Sequence, residues 1–188
     1  MVNQSQIRPI FRGVDVRPVY TIKNKEKFIG DKVFIHYENP REFELMDFLD
    51  NNKNIILWNY KSIGIKFINK SNNKKGMFYP TFHVISKADI LNNKKDEEVT
   101  LDCKNFEYFI DINSFFQQQY NLIEDERLVY LSERERKEYE TILIQLSNEF
   151  AKYEAATKYC SINNIEFLID SGNETIKLGE FYQKSKIN

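Results

Sequence analysis

The sequence predicts a mixed α/β domain. Two observations carry this: helical periodicity over 38–52 and again from Ser132 to about Cys160, and strand-like alternation over 55–69, 77–85, 106–116 and 165–170. Helix, strands, helix, strand is the order of an α/β domain. With 188 residues, 41% hydrophobic and 14% aromatic, the chain is long and apolar enough to bury one core.

The elements follow in order. Residues 1–20 hold a near-repeat, "IRPIF" at 7–11 and "VRPVY" at 16–20. Each proline fixes its own φ and biases the preceding arginine towards an extended backbone, which predicts an extended arm over 1–30 lying on a neighbouring subunit, or a frayed terminus. The domain proper is expected over 31–180, with a tail at 181–188. In "ENPREFELMDFLDNN" (38–52), Asn39 is a cap, Pro40 suits the first turn and "DNN" ends the helix. Leu45, Met46 and Leu49 form its apolar face, which Glu42 shares. "IILWNYKSIGIKFIN" (55–69) reads as one or two strands, "KSNNKKG" (70–76) as a turn and "MFYPTFHVI" (77–85) as the returning strand. "KADILNNKKDEE" is a polar connection, and "FEYFIDINSFF" (106–116) has strand character. Ser132, with Glu135 three residues on, opens a long helix. Its buried stripe is expected at Leu143, Leu146, Phe150, Tyr153, Thr157 and Cys160. "IEFLID" (165–170) is the last strand.

Charge and cysteine usage exclude several classes. The 27 basic residues are matched by 28 acidic ones, so no global positive field attracts nucleic acid, and any such contact must be local. Cys103 and Cys160 have neither paired nor metal-like spacing, which predicts two reduced thiols in a cytosolic product. No apolar run of signal-peptide or membrane-spanning length is visible, so neither export nor a membrane partner is expected. Glycine-rich phosphate loops, zinc-type spacing and nucleophile elbows are missing, and His36 and His83 leave few options for a histidine-centred triad.

The chemistry that does find support lies in the order Glu42 on an early helix, "YPTF" (79–82), "FIDIN" (109–113), a long helix and "IEFLID". This order resembles the restriction-endonuclease-like fold, whose motif is a Glu, then Pro-Asp, then Glu-x-Lys. More narrowly, "YENPREFELMDFLDNNKNIILWNYKSIGIKF" and "FAKYEAATKYCSINNIEFLID" are similar to the first helix and strand pair, and the late helix and strand, of head-completion nuclease-like proteins of T-even-type tailed phages. Those proteins are related to the N-terminal domain of the TnsA transposition endonuclease. The likeness runs over roughly 33–170. It implies a mixed sheet flanked by the early and the long late helix. In that fold, carboxylates hold magnesium against the scissile phosphate and a lysine orients the attacking water.

Carried over residue by residue, Glu42 matches the helix acid, Thr81 stands at the Pro-Asp acid, Asp111 falls at the next strand acid and Asn113 replaces the lysine. Lys152 is the candidate for a lysine that has migrated. The resemblance thus implies a degenerate site whose metal ligands, if it is active, are Glu42 and Asp111, with magnesium as the cofactor; otherwise no cofactor is expected. Losing a bridging carboxylate and the catalytic cation together speaks against ordinary cleavage. The implied role is a virion or assembly protein of the head–tail vertex, active in the host cytoplasm during assembly. Portal, adaptor or neck proteins and packaged double-stranded DNA are its partners, in a homo-oligomeric ring; the alternative is an active magnesium-dependent endonuclease. Each residue also has a simpler reading. Glu42 completes a capping box with Asn39, Asp111 is a strand-end acid, His83 is a hydrogen-bonded structural residue, and Lys152 and "ERERKEYE" (133–140) are solvated helix surface.

Overall fold

The structure, a computed structural model of the chain, describes residues 17–87, 105–113 and 132–170, and the backbone of 175–177. Its centre is a five-stranded mixed sheet in the order β3-β6-β7-β8-β9. These are β3 (Ile55–Tyr60), β6 (Phe82–Ser86), β7 (Phe106–Ile112), β8 (Glu166–Asp170) and β9 (Thr175–Lys177). The β7–β8 pair is parallel and the other three are antiparallel. Two antiparallel ribbons accompany the sheet: β1 (Val19–Thr21) with β2 (Phe34–His36), and β4 (Ile65–Ile68) with β5 (Lys75–Phe78).

Two helices cover the two faces. Helix α1 (Pro40–Asn51) is capped by Asn39, whose side chain accepts from the Glu42 N–H at 2.9 Å. Its Met46 and Leu49 join Trp58, Phe82, Val84, Tyr108, Ile110 and Leu168 in one core. Helix α2 (Glu133–Asn163) begins in a complete capping box between Ser132 and Glu135 and ends on Asn164 in the left-handed conformation. Its Leu146, Tyr153, Ala156 and Cys160 pack with Ile65, Phe78, Phe109, Phe167 and Ile169 in a second core. The alternation along β7 serves both: Phe106, Tyr108, Ile110 and Ile112 face α1, and Phe109 faces α2. A sheet buried on both faces explains why "FEYFIDI" is apolar almost throughout.

Several expectations change. Residues 17–30 are not an arm: Tyr20, Ile22 and Phe28 are buried in the α1-side core, and a 3-10 turn at Lys25–Lys27 sits between β1 and β2. Three apolar side chains inserted under α1 make this segment part of the domain. The first copy of the near-repeat and the tail at 181–188 lie outside the described residues, as do 88–104 and Cys103. The returning strand over 77–85 divides into β5 and β6 at Tyr79, Pro80 and Thr81, because Pro80 has no N–H for a ladder. In α2, Leu146, Tyr153 and Cys160 are buried as expected, but Leu143 and Thr157 are exposed while Ala151 and Ala156 are covered. The buried stripe thus runs through small residues where the helix approaches the sheet. Strand β9 was not expected. No helix among the described residues is long and apolar enough to cross a membrane.

Candidate functional site

The motif positions meet at one end of the sheet, where β7 and β8 finish and β6 begins. Asp111, the penultimate residue of β7, has the parity of Phe109 and so points to the α2 side. The break at Pro80 sets Thr81 just before β6, opposite the end of β7. The Thr81 hydroxyl donates to Asp111 Oδ1 at 3.0 Å and accepts the Ile112 N–H at 3.2 Å. From α2, the Tyr153 hydroxyl donates to Asp111 Oδ2 at 3.0 Å. It accepts in turn from Asn113 Nδ2 at 2.7 Å. Asn113 also reaches Glu149 Oε2 at 3.4 Å, and Lys152 Nζ lies 2.6 Å from Glu149 Oε1. Four of the five sequence-derived positions, Thr81, Asp111, Asn113 and Lys152, therefore belong to one hydrogen-bonded chain running from the sheet to the surface of α2.

The electrostatics of this chain are dominated by burial. Desolvation pushes the Asp111 carboxyl up to about 6, with the Glu149 charge adding to it. The hydroxyls of Thr81 and Tyr153 and the Lys152 ammonium work the other way and do not cancel it. Burial, and then the Asp111 charge, hold the Tyr153 phenol well above its ordinary value. Asp111 is thus a carboxylate with a hydroxyl donor on each oxygen, which satisfies it without a metal ion.

Glu42 stands in a separate cluster on the α1 side. Its Oε2 accepts the Glu38 N–H at 2.6 Å and the Tyr60 hydroxyl at 3.2 Å, and its Oε1 lies 3.5 Å from Lys61 Nζ. Lys61 Nζ is also 3.0 Å from Glu38 Oε1 and 5.0 Å above the Tyr60 ring. Burial opposes the charge on Lys61, but bonds to Tyr60 and Glu38 outweigh it and leave its pKa raised. The expected capping box is half present: Asn39 caps α1, while the Glu42 carboxylate takes the N–H one residue before the cap. Glu42 and Asp111 share no partner, and their contacts lie on opposite faces of the sheet. A backbone bond, Lys61 N–H to Thr81 O at 3.0 Å, runs between the two clusters.

A third contact completes this end. The Arg41 guanidinium grips the buried Asp170 carboxylate at the end of β8, with nitrogens 2.9 and 3.1 Å from Oδ2. The Asp170 bond is the chief cause that raises the pKa of Arg41. The backbone of Asp170 accepts the Asn113 N–H at 2.9 Å, which ties this pair to the Asp111 chain. Elsewhere, His83 Nε2 is 2.6 Å from Glu107 Oε1 and its ring meets Phe109 edge-on, the hydrogen-bonded structural role expected of it.

Sequence reasoning missed Glu149, Tyr153 as a hydroxyl partner, the Tyr60–Lys61 clamp on Glu42, and the Arg41–Asp170 pair. A signal for the first two was present: Glu149, Lys152 and Tyr153 are spaced three and four apart, so they share the helix face that meets β7. Among the described residues no group of three or more His, Cys, Asp or Glu side chains is arranged to hold a metal ion. Comparisons with known protein families, with curated proteins and with solved structures find no match to this chain.

Proposed function

We propose that this chain is a degenerate, non-catalytic relative of restriction-endonuclease-like proteins. In this reading it serves at the head–tail vertex of a tailed phage, in head completion or as a neck component. It acts by contact with portal, adaptor or neck proteins, with further copies of itself and with packaged double-stranded DNA. The viral setting rests on the resemblance of residues 37–67 and 150–170 to head-completion nuclease-like proteins. The observation that carries the non-catalytic part is the Asp111 carboxylate, each of whose oxygens is held by a hydroxyl of the chain itself. A magnesium ion seated there would compete with the Thr81 and Tyr153 hydroxyls for those oxygens, and a threonine hydroxyl is a poor replacement for the missing acid. The mixed sheet between an early and a long late helix is compatible with the nuclease-like core that this reading requires.

A second reading, an active magnesium-dependent endonuclease, draws on one specific arrangement. Lys152 and Glu149 stand beside Asp111 on α2, so a cation and a second carboxylate do adjoin the strand acid. A nicking assay on supercoiled DNA with magnesium or manganese separates the two. The assembly reading predicts no turnover. Cleavage by wild type that disappears in both Asp111→Ala and Lys152→Ala overturns it.

A further inference from the structure

The ribbon formed by β4 and β5 has a character the Asp111 chain does not account for. Residues 61–80 contain five lysines and no acidic residue, in a chain whose net charge is −1. Two of the five are used internally: Lys61 pairs with Glu38 and Glu42, and Lys70 lies 2.9 Å from Glu154 on α2. Lys66, Lys74 and Lys75 are exposed, and among the described residues no carboxylate pairs with them.

The ribbon's two faces differ. Ile65 and Phe78 are buried against α2, and Phe67 packs beside them, its ring covering Gly76 so closely that an added Cβ would lie 2.5 Å away. The outer face carries the cross-strand pairs Lys66–Met77 and Ile68–Lys75, so cations and apolar side chains alternate across it. Ile68 and Met77 are 55% and 45% exposed, and a groove of about 520 Å³ runs between the lysines. Ile68 and Met77 stand beside Lys75 and Lys66 on this face, which makes it amphipathic rather than purely charged.

The turn that holds this face is fixed by its own bonds. The Asn69 N–H donates to Lys74 O at 2.8 Å, Asn73 takes the left-handed conformation at φ +55°, and the side chains of Asn69 and Asn72 accept the N–H groups of Ser71 and Lys74. Asn148 on α2 donates to the Ser71 hydroxyl at 3.3 Å, which anchors the tip to the helix.

We propose that the outer face of the β4–β5 ribbon binds the phosphate backbone of duplex DNA. Lys66 and Lys75 on that face, with Lys74 on the adjoining turn, contact phosphates, and Ile68 and Met77 lie against sugar or base edges. A two-stranded ribbon matches the width of the major groove, roughly 12 Å. Lysines spread along both strands suit a linear polyanion, and release of its counterions supplies the affinity. The assignment deepens the DNA contact of the proposed function and rests on that reading for its setting; its failure would remove the DNA contact and leave the non-catalytic reading to the nicking assay.

The test is fluorescence anisotropy of a labelled duplex titrated with the full chain over a range of salt concentrations. Wild type binds, with affinity falling steeply as salt rises. The variant carrying Lys66→Gln, Lys74→Gln and Lys75→Gln binds at least about tenfold more weakly, and its salt slope is shallower by roughly 0.9 per lysine. The matching triple arginine variant retains binding, and Lys25→Gln with Lys158→Gln behaves as wild type. Thermal melts confirm that all variants are folded. The proposal is overturned if wild type shows no salt-sensitive binding, if the triple glutamine variant keeps wild-type affinity and slope, or if the distant lysine pair matters equally. Equal binding to polyglutamate would also overturn it, by assigning the face to acidic proteins.

Discussion

At the residue scale, Asp111 is buried with a hydroxyl donor on each carboxylate oxygen. Burial raises its pKa to about 6, whereas an unfolded aspartate titrates near 3.9. Between these values the folded chain holds a proton that the unfolded chain has released. The contribution of this group to stability is therefore greatest below about pH 4 and is lost as pH rises through 6, a swing on the order of 3 kcal/mol. Asp111→Asn removes the titration while keeping the shape. Urea unfolding from pH 4 to 7 should show wild type losing stability relative to Asp111→Asn across that window; a pH-independent difference would contradict the assigned environment. Asp111 and Thr81 were singled out in the sequence by the resemblance that "FIDIN" and "YPTF" carry. Their partnership with Tyr153 was not, since it depends on how far α2 is rotated about its axis. Periodicity put Tyr153 on the buried stripe but could not say that its hydroxyl would find a carboxylate.

At the element scale, α1 is set from both ends of the sequence. Asn39 and Pro40 start it locally, and Arg41 ties its first turn to Asp170, 129 residues away. Asp170 is almost fully buried, while Arg41 keeps one edge in water and also meets Glu44. Truncating the guanidinium leaves a buried carboxylate without its cation. Arg41→Ala should lower unfolding free energy by about 2 kcal/mol, less than for a fully buried pair because water screens the exposed edge. Arg41→Lys should recover part of this loss, since a lysine supplies the charge without the fork. Equal stability of Arg41→Ala and wild type in denaturant titration would refute the tie. Both helices were legible because their caps and periodicity are local signals. Short elements were not: β1 has three residues and exists by pairing with β2, and β9 depends on the edge that β8 offers. Pro80 splits the strand predicted over 77–85 into β5 and β6, because a residue without an N–H interrupts the ladder.

At the scale of the whole molecule, one sheet separates two cores and two polar clusters. On the α1 side, Tyr60 donates to Glu42 and Lys61 lies beside it as the counter-charge; on the α2 side, Thr81 and Tyr153 satisfy Asp111. The two carboxylates that could have served one metal ion are each enclosed by partners on their own face. In the sequence they looked like a common site because the resemblance pairs a helix acid with a strand acid. Sequence order does not report which face a side chain takes, and here face decides the chemistry. The ribbon adds a local positive surface that the near-zero net charge conceals. With a hydroxyl of the chain on each of its carboxylate oxygens, Asp111 should seat no divalent cation. Manganese titration followed by electron paramagnetic resonance tests this most directly. Wild type should bind manganese no more tightly than Asp111→Asn. A submillimolar site present in wild type and lost in Asp111→Asn would contradict it.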